Sequence, residues 1–374
     1  MPLVFGVLNE VAGAERRVAV VPDVLKKFAS LGVEFLIEGG AGLAAGIRDE
    51  EFAPAGMVAP GSDWLGRAQL ILRVRPPTLA EIGSLPAGSV LVGFLAPYAD
   101  AERVRALAER KITSLAMELV PRISRAQSMD ALSSQAAVSG YCCALMAANH
   151  CPKFFPMLTY AAGTIRPAQV LVIGAGVAGL QAIATAKRMG AVVTGYDVRP
   201  ETREQIESLG AKFVDTGVSA AGSGGYAREL TDAEKAQQAE RLGRAVAATD
   251  VLITTAAIPG KRAPVIVSAD MVAAMRQGAV VVDMAAETGG NVAGTVAGET
   301  LTIGGVTLIG PVNLPSRLAV HASEMYAKNL YNFLAPFVRD GTLALDWDDE
   351  VLAGACLTHA GEIRHVGVRQ ALGL

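Results

Sequence analysis

Short apolar runs alternate with amphipathic runs along the first third of the chain. Runs rich in β-branched residues predict buried strands, because a strand that is covered on both faces carries a nearly continuous apolar sequence. The longer runs between them, rich in Ala and Leu, predict helices. Such an alternation is typical of a parallel sheet with helices on both faces. We expect strands at 4–8, 34–38, 70–74, 90–94 and 113–117, and helices at 22–31 and 102–110.

A second alternation of the same kind follows. A small-residue helix at 128–148 leads to it, and a late helix at 323–338 should return to cover the first sheet. The second alternation predicts strands at 170–173, 191–196, 212–215, 251–255, 280–284 and 306–309, and helices at 180–189, 200–209 and 231–248.

A glycine-rich loop separates the strand at 170–173 from the helix at 180–189. It follows the spacing G-x-G-x-x-G between Gly174 and Gly179, and Asp197 ends the next strand, 18 residues after Gly179. In a dinucleotide site such a loop brings the backbone close to the pyrophosphate, and the helix N-terminus presents free N–H groups to it. The order of strand, loop, helix, strand and acid therefore favours a dinucleotide site over a simple glycine turn.

These patterns predict an α/β protein. The chain has 374 residues, which is long for a single core. We expect two doubly wound, Rossmann-like parallel-sheet domains separated by a cleft, with the nucleotide lying along that cleft. The first domain is discontinuous, residues 1–132 plus 315–374, and residues 133–314 form the NAD(H)-binding domain.

Asp197 bears on the choice of nucleotide. Its carboxylate should hold the ribose hydroxyls of the adenosine half and repel a 2′-phosphate, so NAD(H) is favoured over NADP(H). Arg199 leaves alternatives open, because it could pair with a 2′-phosphate, lie along the adenine or be a solvated surface charge.

A polar loop precedes the helix at 128–148, and two interpretations of it stay open. In one it is an ordinary capped loop, with Ser128 as the N-cap and Asp130 in the first turn. In the other it is a clamp for the nicotinamide half, in which Arg122 and Gln127 contact ribose and carboxamide while Asp130 and Ser133 fix them. A nicotinamide brings its own hydride chemistry, so the protein needs only to orient the ring and exclude water.

Composition and charge argue against other classes of function. A net charge of −3 gives no reason to expect nucleic acid. The four cysteines and four histidines lack metal-ligand spacing, so we expect no metal site and reduced thiols. We find no signal-peptide pattern and no run of about 18 apolar residues, and therefore expect a cytoplasmic location.

The run MELVPRISRAQSMDALSSQ at 117–135 resembles the NAD(H)-binding component of proton-translocating NAD(P) transhydrogenase, which is domain I, the first segment of the alpha subunit. The resemblance covers nearly the whole chain. It is also carried by 161–199, GGYARE at 224–229, TTAAIPG at 254–260, AETGGN at 286–291 and NLPSR at 313–317.

The resemblance implies direct hydride transfer from NADH to NADP⁺ held on a partner subunit, coupled to proton translocation across the membrane. It implies a homodimer that works with an NADP(H)-binding subunit and separate membrane-spanning subunits, at the cytoplasmic face of the inner (plasma) membrane. By motif position, the contacts at the nicotinamide end would be Arg122, Gln127, Asp130 and Ser133. The other residues that would bind NAD(H) are Gly174, Ala175, Gly176, Val177, Ala178, Gly179, Asp197, Val198, Arg199, Ala256, Ala257 and Tyr226, the last on a mobile loop.

Alanine dehydrogenase shares this fold and gives a rival function. Its E-x-R-V-A-x-x-P run is present from Glu15 to Pro22. Its lysine position is Arg75 here and its histidine position is Phe94. Arginine cannot shuttle a proton near neutral pH and phenylalanine has none to give, which weakens this alternative. A non-catalytic NAD(H) sensor is the other alternative.

Overall fold

The computed structural model describes residues 2–374 except 12, 13, 62, 221–227, 229, 258 and 259. The chain divides into two compact units. The first unit comprises Met1–Gln135 and Pro315–Leu374, and the second comprises Ala136–Leu314. The first boundary thus falls inside a helix, three residues beyond the boundary expected after residue 132.

The apolar runs before residue 150 form strands, and the amphipathic runs between them form helices. Short 3₁₀ helices connect several of these elements. The strands and α-helices are β1 (Leu3–Val7), α1 (Pro22–Ala29), β2 (Val33–Glu38), β3 (Gly56–Val58), β4 (Leu70–Leu72), α2 (Leu79–Ser84), β5 (Val90–Gly93), α3 (Ala101–Glu109), β6 (Thr113–Ala116) and α4 (Ala131–His150).

The middle of the chain contains the elements that surround the glycine-rich loop. A short hairpin, β7 and β8, precedes them. In chain order the elements are β7 (Leu158–Tyr160), β8 (Gly163–Ile165), β9 (Gln169–Ile173), α5 (Val177–Arg188), β10 (Val192–Tyr196), α6 (Thr202–Ser208), β11 (Lys212–Phe213), α7 (Asp232–Ala247), β12 (Val251–Thr254), α8 (Ala269–Ala273), β13 (Val280–Asp283), β14 (Thr300–Ile303) and β15 (Val306–Ile309).

The last segment corrects the expected helix at 323–338. The helix begins at Ala319 and ends at Leu334, since Pro336 follows within a 3₁₀ turn and cannot continue the α-helical hydrogen bonds. The tail beyond it also contains strands. The elements are α9 (Ala319–Leu334), β16 (Val338–Arg339), β17 (Thr342–Leu343), α10 (Glu350–Ala355), β18 (Cys356–His359), β19 (Glu362–Ile363) and α11 (Val366–Leu372).

The central strands of the first unit's sheet are buried on both faces. Among the described residues its strands follow the order β19-β18-β6-β5-β4-β1-β2-β3, and β1 to β6 are mutually parallel. Leu70 and Leu72 point into a core shared with α1 and α9, whereas Ile71 points into a core shared with α3. This alternation explains why the strands read as continuous apolar runs.

The sheet of the second unit follows the order β11-β10-β9-β12-β13-β15-β14 in the described part of the chain. Only β14 is antiparallel to its neighbour there. The order along the sheet reverses between β9 and β12, which makes their carboxyl ends a topological switch point, where open α/β sheets bind ligands. Both sheets confirm the predicted α/β class with Rossmann-like parallel sheets.

One described helix, α4, is long and apolar enough by length and composition to cross a membrane. Half of its apolar window is buried within the structure, and the core helix of a soluble protein meets the same criterion. This run does not stand out in the sequence, because much of its apolar character comes from alanine rather than from larger side chains.

Candidate functional site

The glycine-rich loop lies at the switch point of the second unit, between the end of β9 and the start of α5. Gly174 has φ +93°, a conformation that favours glycine. A Cβ added at Gly179 would lie 1.7 Å from the carbonyl oxygen of Gly174, so the first turn of α5 packs directly on the loop. A Cβ added at Gly176 would meet no atom within 4 Å. The middle glycine therefore faces open space, where a phosphate can approach the backbone.

Asp197 follows β10 and supports this loop directly. Its buried carboxylate accepts a hydrogen bond of 2.7 Å from the backbone N–H of Ala175. Arg199 donates to the same carboxylate through its backbone N–H (2.9 Å), Nε (2.9 Å) and Nη2 (2.7 Å). Burial acts to raise the pKa of Asp197, but the bonds from Arg199 and Ala175 outweigh it and hold the pKa below its usual value. The carboxylate is therefore ionised at neutral pH, and Arg199 partly neutralises it.

The segment after β12 forms the other side of the switch point. The Thr255 hydroxyl donates to the carbonyl oxygen of Gly174 at 3.0 Å. Ala256 is half-buried and Ala257 is exposed. This segment, which carries the predicted nucleotide contacts Ala256 and Ala257, therefore starts beside the first glycine of the loop.

The polar loop of the first unit is a 3₁₀ turn followed by a capped helix. α4 begins at Ala131, and the Asp130 carboxylate accepts bonds from the Ser133 N–H (2.8 Å) and hydroxyl (2.6 Å). Asp130 is therefore the N-cap, and the interpretation in which Ser128 has this role is wrong. Ser128 lies within the 3₁₀ turn, two residues too early to reach the first free N–H groups of α4.

Two further contacts hold this turn from the side of the C-terminal segment. The Ser128 carbonyl accepts a hydrogen bond of 2.9 Å from the side-chain amide of Asn329 in α9. The guanidinium of Arg125 forms a two-pronged ion pair with Asp349, at 2.8 and 3.0 Å. Gln127 lies between these two fixed points with its side chain exposed. The turn thus presents Gln127 to solvent on a backbone that is fixed on both sides.

The predicted residues that the structure describes fall into two groups, one in each unit. Asp130 and Ser133 bond to each other in the first unit, where Arg122 and Gln127 are exposed. In the second unit the structure brings together the loop 174–179, the turn at 197–199 and the segment 256–257. Tyr226 lies outside the described residues.

Sequence reasoning missed two polar residues beside this site, Asp283 and Asn291, which are both fully buried. Burial raises the pKa of Asp283, although four donors bond to its carboxylate. The sequence does contain a signal for Asp283. It is an acid directly after the apolar run Val280–Val282, and such a position lies at the carboxyl edge of the sheet, where ligands bind.

Comparison with known proteins identifies the family. The family model for the N-terminal domain of alanine dehydrogenase/PNT matches residues 6–139, and the model for the C-terminal domain matches residues 143–366. The chain belongs to the alanine dehydrogenase/PNT family. These two matches together cover most of both units.

Within the family, the similarity to transhydrogenases is greater than that to alanine dehydrogenase. The chain is 45% identical over 364 residues to the first segment of NAD(P) transhydrogenase subunit alpha of Rhodospirillum rubrum, covering 94% of this chain and 95% of that one. It is 30% identical to alanine dehydrogenase of Mycobacterium tuberculosis, covering 99% and 96%. The solved structure of transhydrogenase from Sinorhizobium meliloti matches with a TM-score of 0.88 and 42% identity, covering 96% and 99%. The predicted resemblance is thus confirmed.

Proposed function

We propose that this chain is the NAD(H)-binding subunit of a proton-translocating NAD(P) transhydrogenase. It passes a hydride directly from NADH to NADP⁺ held on a partner subunit, and the transfer is coupled to proton movement through membrane-spanning subunits. The observation that carries the proposal is the loop at 174–179 supported by Asp197, in a chain 45% identical to a transhydrogenase alpha-subunit segment over nearly its full length. The subunit would sit at the cytoplasmic face of the inner (plasma) membrane.

Each group of residues has a role in this function. The open face at Gly176 and the free N–H groups at the start of α5 bind the pyrophosphate, and Asp197 binds the adenosine ribose. The bound nicotinamide supplies the hydride. Arg122 and Gln127 orient its ring, and the bond between Asp130 and Ser133 fixes the end of the loop that carries them.

The structure offers little support for amino-acid chemistry. Arg75, at the lysine position of alanine dehydrogenase, lies 3.7 Å from Glu81 and 4.0 Å from Glu10. Phe94, at the histidine position, stacks on Tyr326 with ring centroids 5.0 Å apart. Neither side chain can donate and recover a proton near neutral pH. Direct transfer between two nicotinamide rings requires no such group.

The decisive experiment measures hydride transfer from NADH to an NADP⁺ analogue. The purified chain is assayed alone and then mixed with a transhydrogenase NADP(H)-binding domain, with L-alanine plus NAD⁺ as a parallel reaction. We expect transfer only in the mixture. Turnover of alanine by the chain alone would show that the chain acts as an alanine dehydrogenase instead. NADH binding without transfer in either assay would instead support the alternative that the chain is a non-catalytic NAD(H) sensor.

Removing the Arg199 side chain should sharpen discrimination against a 2′-phosphate. In Arg199→Ala the Asp197 carboxylate keeps its charge but loses its compensating partner. We expect the Kd for NADPH to rise about tenfold, since like-charge interaction near a protein surface amounts to about 1–4 kcal/mol. The Kd for NADH should stay within about threefold, because the carboxylate is then free to accept both ribose hydroxyls. Titration of nucleotide fluorescence measures both constants.

Arg203→Ala is the matched control for that change. Arg203 pairs with the exposed Asp215 at 2.7 Å, so its removal should leave the ratio of the two constants unchanged. Equal weakening of NADH and NADPH binding in Arg199→Ala would contradict the prediction, and it would indicate that Arg199 lies along the adenine.

We also propose that the subunit is a homodimer to which the β7–β8 hairpin contributes. Met157 is 62% exposed and Tyr160 is 59% exposed, and Phe154 and Ile165 nearby are exposed as well. Exposed large apolar side chains on and just before a short hairpin are typical of a surface that is covered in an assembly.

Charged substitutions at this hairpin and at the residue before it should therefore weaken the dimer. In Met157→Asp/Tyr160→Asp we expect the dimer dissociation constant to rise at least about tenfold, because burying one such side chain stabilises by roughly 1.5–3 kcal/mol. Light scattering over a dilution series measures it. Leu43→Asp is the control, since Leu43 is 59% exposed in the other unit. A wild-type chain that is monomeric at every concentration would refute the proposal.

A further inference from the structure

Two segments begin where neighbouring strands of the second sheet end, and the proposed function uses only a few of their residues. One comprises residues 255–257, directly after β12, and the other is AETGGN at 286–291, which is separated by two residues from the end of β13. Only Ala256 and Ala257 have been assigned to the nucleotide. The last residue of the second segment, Asn291, is fully buried and connects the two.

The side chain of Asn291 holds both backbone polar groups of Ala256. Its Oδ1 accepts from the Ala256 N–H at 3.0 Å, and its Nδ2 donates to the Ala256 carbonyl at 2.8 Å. Nδ2 also donates to the carbonyl of Pro264 at 2.8 Å. Both amide protons are therefore used, and the side chain pairs with Ala256 as a neighbouring strand would. These bonds fix the backbone position of Ala256, and with it the segment after β12.

Asn291 is itself held by the carboxylate of Asp283 at the end of β13. One carboxylate oxygen accepts from the backbone N–H groups of Asn291 (2.8 Å) and Val292 (3.0 Å). The other oxygen accepts from the N–H of Ala285 (3.1 Å) and the hydroxyl of Thr254 (2.9 Å). Asn291 therefore cannot shift without breaking bonds to a strand end in the middle of the sheet.

The segment held by Asn291 packs against the first glycine of the nucleotide loop. A Cβ added at Gly174 would lie 2.7 Å from the Thr255 hydroxyl and 3.0 Å from the nitrogen of Ala256. Thr255 also donates to the Gly174 carbonyl at 3.0 Å. The contacts thus run without a gap from Asp283 through Asn291 and Ala256 to Gly174.

We propose that Asn291 is a positioning residue for dinucleotide binding, which sets the distance between the segment 255–257 and the loop 174–179. This inference rests on the proposed NAD(H)-binding function. The adenosine half lies on the Asp197 side of the switch point, whereas the segment 255–257 lies on the other side. Asn291 should therefore matter for the whole dinucleotide and little for its adenosine monophosphate half.

The test compares the binding of NADH and 5′-AMP to Asn291→Asp, which keeps the shape but removes both amide donors. We expect the Kd for NADH to rise about tenfold, which is the size of effect typical of one or two buried hydrogen bonds. The Kd for 5′-AMP should stay within about twofold. Thermal unfolding shows whether the variant is folded. Thr255→Val, which removes the hydroxyl and with it the bonds to the carbonyls of Gly174 and Ile173, is the second variant, with an expected rise of about threefold for NADH.

Gln277→Glu is the matched control, because it makes the same amide-to-acid change at an exposed residue that precedes β13 and bonds to Gly304. It should alter neither constant. Unchanged NADH binding in both variants, or equal weakening of both ligands, would overturn this inference while the proposed function stands. A wild-type chain that binds neither ligand would overturn both.

Discussion

Gly179→Ala is expected to weaken NADH binding severely and to destabilise the second unit. The added methyl group would lie 1.7 Å from the Gly174 carbonyl oxygen and 3.0 Å from the Thr255 hydroxyl. The first of these is a backbone atom and cannot turn aside, so α5 has to move away from the loop. Overpacking of this kind costs typically about 1–3 kcal/mol of folding free energy. The displaced helix N-terminus no longer faces the pyrophosphate, and we expect the Kd for NADH to rise at least about 100-fold.

A comparison with Gly176→Ala separates stability from binding. A Cβ at Gly176 meets no protein atom within 4 Å, so this variant should unfold at the wild-type temperature. It should still bind NADH poorly, because the methyl group occupies the path of the pyrophosphate. Fluorescence titration and thermal unfolding measure both variants. Gly243→Ala is the control within α7; its added Cβ would lie 3.7 Å from Met271 Cγ, an ordinary contact, and NADH binding should stay unchanged. Wild-type affinity in Gly179→Ala would show that close packing of α5 on the loop is not needed.

The sequence predicts the central strands of both sheets because they are buried on both faces. Runs such as Val170–Ile173 and Val280–Val282 are apolar throughout, and that signal is local. The strands it misses are at the edges, are short, or pair with a strand far away in the chain. β3 and β14 are largely exposed, and β18 joins the first sheet through antiparallel pairing with a strand far away in the chain. Their pairing depends on tertiary neighbours, which a local pattern does not contain.

The same distinction applies to the candidate site. The loop 174–179 and Asp197 follow one another within a single strand–helix–strand unit, so their spacing alone indicates a nucleotide site. The bond between Asn291 and Ala256 joins residues 35 positions apart, and it exists only because β12 and β13 are neighbours in the sheet. The N-cap of α4 is a second feature that the sequence alone does not determine. Ser128 and Asp130 are both good N-cap residues, and only the 3₁₀ turn before the helix decides between them.

Gln127→Asn is expected to slow hydride transfer about 100-fold while leaving NADH affinity nearly intact, since a misplacement of about 1 Å in the reacting geometry can cost that much. Gln127 stands on a turn held through Ser128 and Arg125, so removing one methylene withdraws the amide from a fixed backbone position. In the proposed function the amide then no longer holds the nicotinamide carboxamide in line with the acceptor ring. The adenosine and pyrophosphate contacts are untouched, so the Kd for NADH should change by less than about threefold.

Single-turnover transfer to an NADP⁺ analogue on the partner domain measures the rate of chemistry apart from binding. Gln370→Asn is the matched control, because Gln370 is also an exposed glutamine of the first unit and lies in α11. It should leave both quantities unchanged. Equal loss of rate and affinity in Gln127→Asn would contradict a role in orienting the ring, because an interaction made equally before and during transfer changes affinity without selectively slowing the chemical step. A slow rate with intact affinity would instead place Gln127 at the nicotinamide end, where only the geometry of transfer depends on it.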